Sequence, residues 1–307
     1  MNSDTAAVLA GLIASGRPFL AYILPGEAQM RVDPDAAAHI KPWTTRSGAM
    51  LPVADTTPKE IYLARMAGLI EDLGKTGGKT VIARNISGEL KHSLPELAAR
   101  YFPQFPDCLR FFFHLPEAGY WFGASPELLL FDDGEKLTTR ALAGTRPRGE
   151  NEPWSTKNIR EHRFVVDDIA ARLTDAGIVA SHSAPYTIPY GTVEHLATDF
   201  TAATAPDGDL DAIISTLHPT PAVGGLPREV AMRQIAEIEC APRRYYGGTI
   251  TVCNGSRRVA YVILRCVHSD GRRWSIYTGS GITGDSSSTD EWNETEAKAA
   301  PLLELLS

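Results

Sequence analysis

Alternating apolar runs joined by hairpin-type turns predict a mixed α+β fold, with largely antiparallel sheets and helices packed outside them. Three observations carry that expectation. β-branched and aromatic stretches such as KTVIARNI and GGTITVCN are bounded by glycine-rich or Asp-Gly turns, which is strand chemistry. Segments with apolar residues at helical spacing stand between groups of strands, and antiparallel hairpins outnumber strand–helix–strand units. No GxGxxG or phosphate loop follows a strand, so nucleotide chemistry and a doubly wound sheet have no support.

Taken in order, the first residues (MNSDTAAVLAGLIASGRPF) read as a short amphipathic helix, followed by a strand near Phe19–Leu24 and a loop carrying Pro34, Pro42 and Pro52. TPKEIYLARMAGLIEDL, from Thr57, has a Thr-Pro start and helical spacing, and is expected to stop at the turn between Gly74 and Gly78. KTVIARNI then reads as a strand. The run LRFFFHLPEAGYWFGASPELLLFDDGEKLTTRALAGT reads as three strands broken at Pro-Glu-Ala-Gly and Asp-Asp-Gly. NIREHRFVVDDIAARLTDAG predicts a long helix with Val165, Ile169 and Leu173 on one face and Gly177 as its stop. Two further strands are expected from GGTITVCN and from RRVAYVILRCVHSDGRRWSIYTGSGI, with TDEWNETEAKAAPLLELL as a closing helix.

The 307 residues suffice to bury a core without covalent staples. A formal charge of −7, from 30 basic and 37 acidic residues, argues against a nucleic-acid surface. Cys108, Cys240, Cys253 and Cys266 form no CxxC pair, so reduced and mostly buried thiols are expected rather than zinc or a disulfide framework. The apolar stretch at the start is too short and interrupted to span a bilayer and has no basic region before it, so a cytoplasmic protein without membrane contact is expected.

Several residues could carry chemistry. Glu161 opens a helix, and Glu291 and Glu294 lie three apart on another, so the last two share a face. Such a pair is usually a solvated helix face, yet glutamates from two helices also suit magnesium. Lys79 begins a strand after a glycine-rich turn, where it is either a surface lysine or a side chain pointing into a cleft. Glu127, among apolar residues in ASPELLL, is expected on a strand, either as an edge charge or as a buried carboxyl with raised pKa. Arg265, inside YVILRCV, needs a carboxylate partner from the protein or from a ligand. Gly144 and Gly279 permit close backbone approach to a small ligand.

In combination, these features resemble the chorismate-utilising enzymes, a family that includes anthranilate, aminodeoxychorismate, isochorismate and salicylate synthases. The resemblance rests on KTVIAR, FGASPELLL, ALAGTRPRG, EHRFVVDDI, LHPTPAVGGLP, ILRCV, YTGSGI and EWNETEAK, in that order from about Pro58 to Leu306. It implies the chorismate-binding enzyme fold, with 58–307 as a single catalytic core and 1–57 as a shortened N-terminal lobe of the same domain. Family members generally carry a longer region before the lysine that 78 residues precede here.

The resemblance further implies roles. Lys79 falls where isochorismate and salicylate synthases carry the base that activates water, and where ammonia-using members carry glutamine. Ala143 falls where aminodeoxychorismate synthase has a nucleophilic lysine, and HPTPA has the form of the water-using members. Isochorismate synthase is therefore the expected activity, with no glutamine amidotransferase partner. Lys79 is the implied base and Glu127 the acid for the departing C4 hydroxyl. The implied cofactor is Mg2+, bound by Glu161 and Glu294, with Glu291 supporting it. Arg265, Tyr277 and the amides near Gly279 are implied to hold the enolpyruvyl carboxylate of chorismate, with Gly144, Thr145, His218, Ala222 and Lys298 completing the pocket. Salicylate synthase, or a non-catalytic binding protein of the same fold, are the competing readings. Isochorismate serves both menaquinone and siderophore biosynthesis, and neighbouring enzymes decide between them.

Overall fold

The computed structural model of the protein describes residues 2–43, 52–204, 209–255 and 257–307. The first elements are α1 (Asn2–Ala14), β1 (Phe19–Ile23), β2 (Arg31–Asp33), α2 (Ala36–His39), β3 (Ile40–Lys41), α3 (Lys59–Thr76), β4 (Lys79–Glu89) and α4 (Leu94–Tyr101). There follow β5 (Leu109–Leu115), β6 (Gly119–Ser125), β7 (Leu128–Asp132), β8 (Lys136–Pro147), α5 (Thr156–Asp175), β9 (Ser181–His182), β10 (Tyr186–Tyr190) and β11 (Val193–Ala203). The chain ends with α6 (Leu210–Leu217), β12 (Gly225–Leu226), α7 (Arg228–Ile238), β13 (Thr249–Asn254), β14 (Arg257–Val262), β15 (Cys266–Ser269), β16 (Arg273–Ile282) and α8 (Ser288–Leu306).

The strands form two antiparallel sheets. The first runs β12-β4-β16-β15-β6-β5-β1-β2 and the second β10-β11-β8-β7-β14-β13-β3, with β9 also on β11. Phe111, Phe113 and Trp121 of the first sheet pack against Ile250, Val252 and Tyr261 of the second. On its other face the first sheet presents Phe112, Phe122, Val267 and Ile276 to Leu97 and Tyr101 of α4 and Leu302 and Leu305 of α8. Helix α3 covers Ile82 and Ile282 of the same sheet through Tyr62, Met66 and Leu69. Val165, Ile169 and Leu173 of α5, with Ile214 and Leu217 of α6, cover the second sheet over Ala141, Ala260 and Val262. The mixed α+β expectation, with helices outside antiparallel sheets, therefore holds. With both faces covered, LRFFFHL is apolar at nearly every position rather than at alternate ones, each buried Phe contributing about 1.5–3 kcal/mol.

The details depart from the sequence reading at several places. The run 109–147 forms four strands, not three, because the chain breaks at Pro126 and Glu127 as well as at the two turns. The run 249–282 likewise holds four strands rather than two. Helix α3 continues through Gly74 to Thr76 and stops at Gly77, within the expected turn, in a conformation (φ +75°, ψ −176°) that only glycine adopts readily. The prolines near the start do not mark one long loop: β2, α2 and β3 form there, with β2 on β1 and β3 on β13, although 44–51 lies outside the described residues. Gly177, φ +74°, ends α5 as expected, with Ile178 N–H donating to the Leu173 carbonyl at 2.8 Å. All four cysteines are free, with Cys108 and Cys266 buried and Cys240 and Cys253 exposed. Among the described residues no helix is long and apolar enough to cross a membrane.

Candidate active site

The site forms where the chain crosses from one sheet to the other. β6 of the first sheet passes to β7 of the second through Pro126 and Glu127, and β14 of the second returns to β15 of the first through Ile263, Leu264 and Arg265. Proline has no N–H for a ladder, so the strand ends there and Glu127 sits in the crossing rather than on a strand. The two crossings are tied together. Ser125 Oγ donates to the Val262 carbonyl at 2.5 Å, Val262 N–H to the Glu127 carbonyl at 3.0 Å, and Ala124 N–H to the Arg265 carbonyl at 3.3 Å.

Glu127 is 3 % exposed, and its Oε1 accepts a hydrogen bond from the Thr220 hydroxyl at 3.0 Å. Burial pushes its carboxyl up to about 7, against the opposing pull of Thr220 and of Lys79, Lys298 and Arg265. Arg265 has φ +50°, an uncommon backbone for a long side chain and one often kept at functional sites. Its Nη2 meets His195 Nε2 at 3.0 Å and its guanidinium lies 4.6 Å from the centre of the Tyr190 ring. Nη1 is buried without a hydrogen-bond partner among the described residues. Burial first, then Arg265 and Lys298, hold the His195 imidazole well below its ordinary pKa, so it is neutral. His195 Nδ1 lies 3.1 Å from the Gly144 carbonyl, which can only accept, so Nδ1 carries the hydrogen and Nε2 receives one from Arg265. Gly144 is the extra residue of a bulge, since Thr145 pairs with His195 and Ala143 with Leu196, and its φ of +79° needs glycine.

Opposite these crossings lie β4 and β16. Val81 pairs with Gly281 and Ala83 with Gly279, so Lys79, Val81 and Ala83 share a face with Tyr277, Gly279 and Gly281. A Cβ on Gly281 would collide with Glu161 Oε1 and come within 2.7 Å of Lys79 Cε. The bare backbone there lets Lys79 Nζ reach Glu161 Oε1 at 3.0 Å, an ion pair whose side chains are 1 % and 7 % exposed. Burial raises the Glu161 carboxyl, but Lys79 and Lys157 outweigh it and hold the group below its usual range.

Glu161 does not open α5: the helix begins at Thr156, capped by Ser155, and Lys157 and Glu161 lie one turn apart. From α8, Glu294 meets Lys298 Nζ at 2.6 Å, and Lys298 also donates to the Gly279 carbonyl at 3.0 Å. Glu291 Oε1 lies 2.6 Å from Lys157 Nζ, yet among the described residues neither of its buried oxygens accepts a well-directed hydrogen bond. Burial, then Glu294, pushes Glu291 up to about 7. Buried hard oxygens left under-coordinated are the donor chemistry that Mg2+ takes. As they stand, with lysine ammonium groups among them, no three acidic, His or Cys groups among the described residues converge at metal-ligand distance.

Two cavities share Thr145 in their walls. The inner one, about 60 Å³, is lined by Glu127, Gly144, Thr145, Glu161, Ala222, Arg265, Tyr277, Gly279 and Lys298 of the expected residues. The outer one, about 310 Å³, is lined by Thr145, Glu291 and Glu294, with Lys157 and Asn158. Lys79 lies just behind the inner wall. His218 lines neither: its Nε2 engages the Gly247 carbonyl at 2.6 Å and its ring meets Trp43 edge-on. Sequence reasoning missed His195, Thr220, Gly281 and Lys157. Only Gly281 left a signal, as the second glycine on one face of YTGSGI.

A family model described as chorismate binding enzyme matches residues 47–307. The chain is 32% identical over 219 residues to isochorismate synthase EntC of Escherichia coli strain K12, covering 67% of this chain and 56% of that protein. It is 30% identical over 342 aligned positions to the putative isochorismate synthase MenF of Mycobacterium tuberculosis strain H37Rv, covering all of this chain and 88% of that one. The chain thus spans little more than half the length of the Escherichia coli relative. Among solved structures, the menaquinone-specific isochorismate synthase MenF from Escherichia coli superposes with a TM-score of 0.72 at 26% identity, over 86% of this chain and 65% of that one. The putative 2,3-dihydroxybenzoate-specific isochorismate synthase DhbC from Bacillus anthracis shares the fold, with a TM-score of 0.74 at 24% identity over 99% of this chain and 88% of that one.

Proposed function

The chain belongs to the chorismate-binding enzymes, and from that premise we propose that it is a magnesium-dependent isochorismate synthase, isomerising chorismate by adding water at C2 and expelling the C4 hydroxyl. The observation that carries the reading is Glu127: a buried carboxyl, pushed up to about 7, lining the same cavity as Arg265, whose Nη1 has no hydrogen-bond partner among the described residues. A carboxyl that is half protonated near neutrality can deliver a proton to a leaving hydroxyl. A buried guanidinium with a free nitrogen is suited to a carboxylate of the substrate. The names of the relatives support the same activity.

The residues divide the work as follows. Once its contact with Glu161 opens and its ammonium group has given up a proton to solvent, Lys79 as a neutral amine takes a proton from the attacking water. Glu127 protonates the departing C4 oxygen, which leaves as water, from the other side of the ring. Arg265, oriented by His195, holds the enolpyruvyl carboxylate with Tyr277 and the Gly279 backbone. Gly144, Thr145, Ala222 and Lys298 bound the ring, whereas His218 is left out of the pocket. Mg2+, bound by Glu161 and Glu294 with Glu291 in support, would neutralise and polarise the ring carboxylate. The inner cavity, about 60 Å³, is smaller than the ~300 Å³ usual for a small-molecule site, so substrate binding requires it to widen or to extend past Thr145 toward the outer cavity. Water rather than ammonia is the nucleophile, and no glutamine amidotransferase is required.

The test is chorismate turnover by the purified chain with Mg2+, products separated by chromatography. Isochorismate alone, formed only without excess EDTA, is the expected result. Salicylate with pyruvate would move the assignment to a salicylate synthase, and binding of chorismate without turnover would reduce the protein to a binding module.

A further inference from the structure

Each glutamate of the carboxylate cluster has a lysine against it: Lys79 on Glu161 at 3.0 Å, Lys298 on Glu294 at 2.6 Å and Lys157 on Glu291 at 2.6 Å. These lysines are not equivalent. Lys79 is 1 % exposed, and Lys298, 14 % exposed, is also anchored to the Gly279 carbonyl. Lys157 makes no such second bond among the described residues, is 25 % exposed, and borders the larger cavity. It extends from α5 toward α8, and the charges of Glu161, Glu291 and Glu294 all act on it. Its partner Glu291 is fully buried, where an unpaired carboxylate is costly.

We propose that Lys157 is the internal counter-cation of this carboxylate cluster, and that a divalent cation binds by displacing its ammonium group toward the open cavity. The inference rests on the metal reading above but concerns a residue that reading does not use. Without a metal, three glutamates from two helices would repel one another, and Lys157 bridges α5 to α8 across that repulsion. A cation of higher charge density takes over Glu291, and the flexible four-carbon stem lets the ammonium leave for water at little steric cost. Metal entry is then an exchange of cations rather than the filling of an empty site. Measured affinity is lowered by the cost of expelling Lys157, and removing the lysine should tighten metal binding while weakening the metal-free fold.

Calorimetric titration of the full chain with Mg2+ alone tests this, together with thermal melting with and without the ion. Lys157→Met and Lys157→Gln should each bind Mg2+ about tenfold tighter or more than the unaltered chain. Both should melt lower without metal, a difference that saturating Mg2+ closes, and Lys157→Arg should behave as the parent because it keeps the charge. The glutamine variant is included because it can still hydrogen-bond Glu291 should methionine impair folding. Equal or weaker Mg2+ binding by the neutral variants, with the parent binding normally, would overturn the displacement. Absence of Mg2+ binding by parent and variants alike would overturn the metal reading itself.

Discussion

At the scale of single residues the proposed acid, Glu127, combines burial, a hydroxyl partner and nearby cations that only partly offset burial. If it is the acid, its protonated form is the active one. The rate should therefore fall as pH rises through about 7, and a pH profile of kcat checks the position of that limb. Thr220 favours the ionised carboxylate by donating to it, so Thr220→Val, which keeps the shape and removes the donor, should move the limb to higher pH. A limb that stays in place would separate Glu127 from the rate. The same raised carboxyl bears on stability. Between about 4.5 and 7 the folded state holds a proton that the unfolded chain has released, so this group lowers stability as pH rises across that window.

The division of labour between base and acid is a second residue-level expectation. Lys79→Ala and Glu127→Gln should each lower kcat by ~10² to 10⁴, the usual contribution of a positioned proton-transfer group. Because the isomerisation is reversible, each variant should slow both directions by the same factor. Initial rates from chorismate and from isochorismate, with circular dichroism as the control for folding, check this. Changes below about threefold would return both residues to purely structural roles.

Among elements, the two sheet crossings and the glycine face of β16 build the site. Gly281→Ala should drive the Glu161 carboxylate and the Lys79 stem apart, displacing two groups by about the size of a methyl. A misplacement of that order costs about 10²-fold in rate, so kcat should fall by that much while the melting temperature changes less. Much of this was legible beforehand. Gly144 and Gly279 stand where local signals put bare backbone. Lys79, left open between surface and cleft, is buried against Glu161, and Glu161 lies inside α5 rather than at its start. Glu127 and Arg265 were expected within strands because apolar alternation runs unbroken through both crossings: a chain that leaves one buried sheet for another meets no change in polarity. The 8-residue α4 and α6 and the 11-residue α7 left too few turns for a period to show. Lys157 and His195 escaped because their roles arise from partners on other elements, Glu291 and Arg265, which no spacing along the chain reveals.

For the whole molecule, a net charge of −7 leaves an anionic substrate dependent on local cations. Arg265 and Lys298 line the inner cavity and Lys79 backs it, but Glu127 and Glu161 line the same cavity, so the site offers individual cations rather than a positive field. The helix–sheet–sheet–helix stack holds the crossings in its interior, which is what keeps Glu127 dry enough to be protonated near neutrality. The central claim is that this enclosed site adds water to chorismate at C2, and isotope transfer tests it most directly. Chorismate turned over with Mg2+ in H2 18O, with ammonium chloride present, should yield isochorismate bearing one heavy oxygen on its C2 hydroxyl, and mass spectrometry of the chromatographed product reads the label. Unlabelled isochorismate, an amino-substituted product, or no conversion by the folded protein would contradict the account.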